Sequence, residues 1–513
     1  MNTKYDIIII GSGAGGGTLA YKLAPSGKKI LIIERGDYIP KERENWDARE
    51  VFTKGRYRTT EKWYDKEDNP FSPFTHYNVG GNTKMYGAAL FRLRESDFVE
   101  TKHYGGISPA WPLSYDAFES YYTEAEKLYS VHGERGIDPT EPKTESAYPF
   151  PPLQHEPSMQ ELYNNIRSLG YKPFPLPLGV RLGENGKNGS SPIRLSNFDG
   201  FPDPTEAKAD AQVVALHQAL MAPNVTLVHN AHVDRLVADK SGRRISVVEV
   251  TRLNEPLRFE GDIVVLAAGA VNSAAILLRS FTQQFPNGLA NRSGMVGRNY
   301  MLHQNGCVIN FSDKPNTAQF QKSFSLSDFY HSADDSQFPL GTIQLMGKND
   351  PDTVMDLALA HFPGKSFEEL SGHSIDFWIT AEDLPDPNNQ VTLRKDGTIK
   401  TIYTVNNREA YHRLKAKLYS ILDRLAEKDP LLRNSVRAGY DLGISGVSHQ
   451  MGTLKFGNDP RSSVLDVNCK AHDLDNLYAV DASFFVSSAA FNPALTIIAN
   501  ALRVGNHLLE RIK

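Results

Sequence analysis

Tyr5-Asp6-Ile7-Ile8-Ile9-Ile10 runs without a break into Gly11-Ser12-Gly13-Ala14-Gly15-Gly16-Gly17, and this junction decides the fold. The β-branched run reads as a buried parallel strand, and the glycines that follow it spell G-x-G-x-x-G at the start of a helix. Gly11 permits the tight turn, Gly13 lets backbone approach a pyrophosphate, and Gly16 lets the helix pack on the strand. The helix start then offers unpaired N–H groups and its positive dipole end to phosphates. A second strand, Lys29-Ile30-Leu31-Ile32-Ile33, ends in Glu34, about 20 residues downstream, where an acid holds ribose hydroxyls and disfavours a 2′-phosphate. Strand, triplet, helix, strand and acid in that order predict an α/β dinucleotide-binding fold of Rossmann type.

At 513 residues the chain exceeds the usual size of one hydrophobic core, so a second domain or a large insertion is expected. A formal charge of -4, with no charge run, gives no basic face for nucleic acid and suits small neutral substrates. Cys307 and Cys469 are the only cysteines, which excludes a disulfide framework, a C-x-x-C redox pair and cysteine motifs for haem or zinc. No metal site is expected, and redox chemistry must come from an organic cofactor. The first strand begins within five residues of Met1, leaving no room for a signal peptide, and no apolar stretch reaches the ~20 residues a membrane span needs. A cytoplasmic protein is the expectation, with export alongside a signal-bearing partner as the alternative.

The nucleotide domain is expected to be discontinuous. Val225–Val228 and Ile245–Val250 read as strands flanking a hairpin-like turn at Ser241-Gly242. Asp262–Ala270 gives another buried strand ending in small residues, and 271–279 has helical spacing. Helices are also predicted over 114–129 and 408–428. Residues 1–105, 201–302 and 441–513 are assigned to the nucleotide domain. Residues 106–200 and 303–440, rich in Pro, aromatics and turn residues, are assigned to an α+β substrate domain built on an antiparallel sheet.

Chemistry concentrates in the last seventy residues. Ser448-His449-Gln450-Met451-Gly452-Thr453 holds a histidine in a glycine-flanked loop, and Asn476–Asp481 reads as a strand ending in an acid. In Asn492-Pro493-Ala494-Leu495-Thr496, Pro493 suits a first helical turn and Asn492 sits where an N-cap belongs.

Taken together, these segments resemble the glucose-methanol-choline (GMC) oxidoreductase family over nearly the whole chain. The matching residues are Gly11, Gly13, Gly16 and Glu34, then Val79-Gly80-Gly81-Asn82-Thr83, Gly269-Ala270-Val271-Asn272-Ser273, Glu382–Val391 as the segment entering the substrate-domain sheet, and the closing block of His449–Thr453, Asp481 and Asn492-Pro493. The resemblance implies FAD, held by the glycine fingerprint and Ala14, Glu34, Arg35, the Gly80–Thr83 loop and Met85. It extends this cofactor site to His232, Val233, Ala268, Gly269, Asp481, Ala482, Asn492, Pro493 and Thr496. It implies that His449 is the base that accepts the proton of an alcohol while hydride leaves the same carbon, and that Asn492 clamps the alcohol oxygen. His303 is expected to be structural.

Two departures carry consequences. Some sugar oxidases of the family attach FAD through a histidine shortly after the paired glycines, whereas Asn82-Thr83-Lys84-Met85-Tyr86 has none, so noncovalent FAD is expected. Ala274 stands where the second signature usually has proline. The ending Phe491-Asn492-Pro493 leans toward the pyranose-oxidising branch, which implies oxidation of a secondary alcohol of a sugar or glycoside at C2 or C3. Trp63, Tyr64, His76, Tyr77, Gln344 and Trp378 are candidate cavity residues. The acceptor is open among dioxygen, a quinone and a redox protein, and oligomeric state is not readable. The alternatives are a non-sugar alcohol, a redox-silent lyase of the cyanohydrin type, and a noncatalytic flavoprotein.

Overall fold

The computed structural model describes residues 3–182, 198–348, 366–429, 432–433 and 435–513. Parts of both stretches expected to cover the substrate therefore lie outside the described residues.

The opening run forms β1 (Thr3–Ile10), followed by α1 (Ala14–Leu23) and β2 (Ile30–Ile33). Ile7, Ile8, Ile9, Ile30, Leu31 and Ile32 are wholly buried, which is why these strands lack alternation: both sheet faces are covered. β2 is flanked on its other side by β3 (Val225–Val228), in parallel, with Val225 opposite Ile30 and Val228 opposite Ile33. Next come β4 (Ala231–Ala238), β5 (Ile245–Arg252) and β6 (Glu255–Leu266), an antiparallel meander. The long strand β6 joins meander and core. Its start, Glu255–Phe259, pairs with β5, and its end, Val264–Leu266, runs parallel to Leu477–Ala479. The sheet order is β3-β2-β1-β6-β5-β4, with Leu477–Ala479 added at β6. After β6, Ala270–Arg279 forms helix α2.

This corrects the expected hairpin. Val225–Val228 extends the parallel sheet, and Ala231–Ala238 is the strand that turns back across Ser241-Gly242. Asn230, in the left-handed region at φ 55°, separates the two strands. The alternation that marks β4 is broken by a bulge between Val233 and Arg235, so its period-2 signal is weak in the sequence.

A second, six-stranded antiparallel sheet contains β7 (His303–Phe311), β8 (Ser374–Glu382) and β9 (Val436–Asp441). Its order is β9-β7-β8, then Thr342–Leu345, Phe324–Leu326 and Phe174–Pro175. Helix Arg408–Ala426 covers it, burying Leu414, Leu418, Ile421 and Leu422 in one cluster with Ile343, Phe377 and Ile379. The segment Glu382–Val391 leaves this sheet rather than entering it: β8 ends at Glu382, and Gln390–Leu393 belongs to a small separate sheet. The last helix, α3 (Ala494–Arg511), packs against α1 and Asp116–Leu128. Among the described residues no helix is long and apolar enough to cross a membrane.

Candidate active site

The two sheets enclose a cavity of about 570 Å³. One end is the glycine turn. Gly11 sits at φ 103°, and a Cβ there would lie 2.3 Å from the Ala267 carbonyl oxygen. A Cβ at Gly15 would lie 2.3 Å from the Val480 carbonyl oxygen, and one at Gly16 would lie 2.0 Å from that of Gly11. The turn is thus pressed onto the ends of β6 and the Leu477–Ala479 strand, and any side chain forces it open. α1 starts without a side-chain cap and without an acid in its first turn, so its N–H groups remain available to an anion.

Glu34 is buried beside this turn. Its Oε2 accepts from the Ser12 N–H at 3.0 Å and the Ser12 hydroxyl at 2.6 Å, and its Oε1 accepts from the Gly36 N–H at 2.9 Å. Burial pushes its carboxyl above the usual range, against these hydrogen bonds. Ser12 Oγ also accepts from the Gly80 N–H at 3.0 Å, tying the Gly80-Gly81 loop to the first turn. Asp481 plays the equivalent part at the other edge: it accepts from the Gly269 N–H at 3.0 Å, the Ser483 N–H at 2.9 Å and the Ser273 hydroxyl.

Most residues expected to hold the cofactor line this cavity, from Gly11, Gly13 and Ala14 through Asn82, Met85, His232 and Val233 to Ala268, Gly269, Ala482 and Pro493. Three do not. Gly16 and Gly80 act by backbone packing behind the wall. Thr496 turns away from it, its hydroxyl 2.8 Å from that of Tyr122, so it braces α3 against Asp116–Leu128. Of the substrate candidates, His76, Tyr77 and Trp378 line the cavity, whereas Trp63 is buried in a small sheet and Tyr64 lies under the Arg394 guanidinium. Gln344 bonds to Asn492 behind the wall.

At the other end stand His449 and Asn492. Met301 and Met451 exchange backbone hydrogen bonds of 3.0 and 2.9 Å as an antiparallel pair. In that register the residue two steps after Met301 faces the residue two steps before Met451, on the same side. Those residues are His303 and His449, and their Nδ1 atoms are 3.0 Å apart. Gly452, at φ 88°, allows the approach: a Cβ there would lie 2.2 Å from the Asn299 carbonyl oxygen.

Burial holds both rings neutral: it lowers His303 to about 4 and, with the Lys322 ammonium adding to it, puts His449 well below the usual histidine range. His303 Nε2 lies 3.2 Å from the Ser488 carbonyl oxygen, an acceptor only, so that nitrogen carries the proton. Neutral His303 then presents a lone pair at Nδ1, and His449 must donate its Nδ1–H to it. The lone pair of His449 is left on Nε2, which has no hydrogen-bond partner among the described residues, while the residue lines the cavity. Trp378 stands edge-on to the ring, with centroids 5.3 Å apart.

Asn492 is not the cap of α3. That helix starts at Ala494 after Pro493, and no side chain caps it. Instead Asn492 Oδ1 accepts from Gln344 Nε2 at 2.9 Å, which leaves the amide N–H₂ for the cavity. A tautomer-fixed imidazole and an amide donor thus share one chamber with a dinucleotide cradle. The role of His303 was missed in the sequence because 146 residues separate it from His449. Among the described residues no cluster of metal-ligating side chains occurs, and both cysteines are free and buried.

A Rossmann-type cradle opening on a neutral imidazole and an amide donor fits an oxidoreductase that works with a bound dinucleotide. The chain belongs to the GMC oxidoreductase family: residues 5–305 and 385–501 match its N- and C-terminal halves. The family binds FAD, and the glycine-walled turn, uncapped helix start and buried Glu34 fit the pyrophosphate and ribose of that cofactor. The chain is 30% identical to paromamine 6'-oxidase of Streptomyces fradiae, over 97% of this chain and 90% of that protein. It is 29% identical to 6'''-hydroxyparomomycin C oxidase of Streptomyces lividus, over 99% and 92%. Its fold matches the crystal structure of pyridoxine 4-oxidase from Mesorbium loti with a TM-score of 0.67 at 18% identity, covering 98% of this chain and 99% of the other.

Proposed function

We propose that this enzyme oxidises a secondary alcohol of a sugar or glycoside, at pyranose C2 or C3, to the ketone, with His449 as base and Asn492 as clamp. The observation that carries this reading is that His449, whose Nε2 has no hydrogen-bond partner among the described residues, and Asn492, whose oxygen alone is engaged by Gln344, line one cavity. Relatives that act on paromamine and 6'''-hydroxyparomomycin C support a sugar-like substrate.

The residues divide the work. His449 Nε2 accepts the hydroxyl proton, and its Nδ1–H stays on the His303 side, so the growing imidazolium charge is shared along the pair. Asn492 donates an N–H to the substrate oxygen as negative charge develops there; an amide does not titrate in this range and serves only as a donor. FAD, when bound, supplies the hydride acceptor, with Glu34 toward the ribose, the start of α1 toward the pyrophosphate, and Asp481 fixing the Gly269 loop. The FAD is noncovalent, since no histidine lies in Asn82–Tyr86, and acid precipitation is expected to release it into the supernatant. We assign 1–105, 201–302 and 441–513 to a nucleotide domain and 106–200 and 303–440 to a substrate domain, with the correction that helix Asp116–Leu128 packs on α3 and shares the nucleotide core.

A second reading rests on the 6' position in a relative's name, which favours a primary alcohol. Anaerobic addition of D-glucose, D-xylose, methyl glucosides, an aminoglycoside and simple alcohols, with the flavin bands followed, tests both readings. Bleaching by a sugar with a keto product supports the first, and an aldehyde product supports the second. Bleaching by simple alcohols alone overturns the sugar assignment. Readmitting air then separates dioxygen from a quinone or a redox protein as acceptor.

A further inference from the structure

Resting on that reading, the structure holds a feature the catalytic pair does not use. Asp199 and Lys322 both line the cavity, and Lys322 Nζ lies 2.8 Å from Asp199 Oδ2. Oδ2 also accepts from the Gly347 N–H at 3.4 Å. The other oxygen, Oδ1, receives no hydrogen bond from the described residues. Lys322 is 3% exposed, and its ammonium has further protons that Asp199 does not take.

The position of Asp199 is heavily determined. Lys208 is wholly buried, a costly placement for an ammonium, and donates to the carbonyl oxygens of Phe198 and Phe201, at 2.7 Å each. These carbonyls bracket Asp199. Burial pushes the Asp199 carboxyl up, but Lys322, Lys208 and the Gly347 N–H outweigh it and hold the group below the usual carboxylate range. Glycine keeps the approach clear: a Cβ at Gly87 would stand 2.3 Å from Asp199 Oδ1 and 2.8 Å from Lys322 Cε. Asp199 and Lys322 line the same chamber as His449.

We propose that Asp199 and Lys322 form a polyol clamp, Oδ1 accepting from one substrate hydroxyl and the ammonium donating to its neighbour. A vicinal diol presents a donor and an acceptor on neighbouring carbons, whereas a monohydric alcohol engages neither arm once its hydroxyl is at His449. Trp378, half-buried in the same wall, offers an apolar surface to the C–H face of a sugar ring. The clamp therefore sets specificity, leaving the proton chemistry to His449.

The test is equilibrium binding to the FAD-loaded enzyme reduced with dithionite, so that no turnover occurs, read by the protein's tryptophan fluorescence. The probes are D-glucose, D-xylose and methyl α-D-glucopyranoside, with 1-butanol as the monohydric comparison. Asp199→Asn is expected to weaken the tightest polyol by roughly tenfold or more relative to 1-butanol, the loss of charge-assisted hydrogen bonds. Gly87→Ala, which crowds Oδ1 but keeps the charge, is expected to produce the same selective loss and serves if Asp199→Asn does not fold. Equal weakening of polyol and butanol, no weakening in either variant, or absence of polyol binding to the wild type overturns the clamp. Selective polyol binding to a protein whose flavin no polyol reduces upholds the clamp and overturns the proposed reaction.

Discussion

Replacing His303 by phenylalanine removes the atom that accepts the Nδ1–H of His449 while filling a similar space. The imidazole then either keeps its tautomer with a buried, unpaired N–H, or moves the proton to Nε2 and loses the lone pair that faces the substrate. An unsatisfied buried donor costs about 1–3 kcal/mol, so the productive tautomer is disfavoured by that amount. In rate this is roughly a 5- to 150-fold slowing of flavin reduction. His303→Asn places an amide oxygen close to the lost Nδ1, keeps the acceptor, and is expected to slow reduction by no more than about fivefold. The assay is anaerobic stopped-flow reduction at saturating sugar and pH 8, with flavin content measured in each variant. Phenylalanine as fast as wild type, or asparagine as slow as phenylalanine at full flavin occupancy, refutes the argument from the 3.0 Å Nδ1–Nδ1 contact.

Other outcomes follow from the same geometry. Gly11→Ala, at φ 103° with its methyl 2.3 Å from the Ala267 carbonyl oxygen, is expected to abolish FAD retention; Gly27→Ala, at φ 71° with open space around it, costs about 1 kcal/mol and keeps the flavin yellow, as absorbance at equal protein concentration will show. Because burial lowers His449 and His303, the base stays neutral below the ordinary histidine range: kcat/KM is expected to be level from pH 8 to 6 and to fall only on further acidification, and an acid limb centred between pH 6 and 7 contradicts this. Gln344→Leu frees the Asn492 amide to rotate and is expected to lower the reduction rate by about 5- to 20-fold with FAD content unchanged, measured by the same stopped-flow assay.

The nucleotide half was legible because its signals are local. Ile7–Ile10, the glycines after them and Glu34 lie within 30 residues, and each has a conformational reason that any sequence must satisfy. The closing block carries local signals too, and the fold brings His449 and Asn492 to one cavity. What stayed hidden depends on contacts between distant segments. The Met301–Met451 register that pairs His303 with His449 leaves no mark in either segment alone. Asp199 and Lys322 stand 123 residues apart and look like ordinary surface charges in sequence. Thr496, on a helix start that otherwise faces the cavity, turns its hydroxyl to Tyr122 instead, a direction that the sequence near Asn492 does not record. Trp63 and Tyr64 were attractive as aromatics, but they serve a small sheet with Pro70–Phe71 and Ile399–Ile402.

The most direct test compares anaerobic flavin reduction by the best sugar in wild type and His449→Ala, each with its FAD content measured. The account predicts full FAD occupancy in both and a rate lower by roughly two to four orders of magnitude in the variant, the usual contribution of a positioned base. Near-normal reduction by His449→Ala would contradict it.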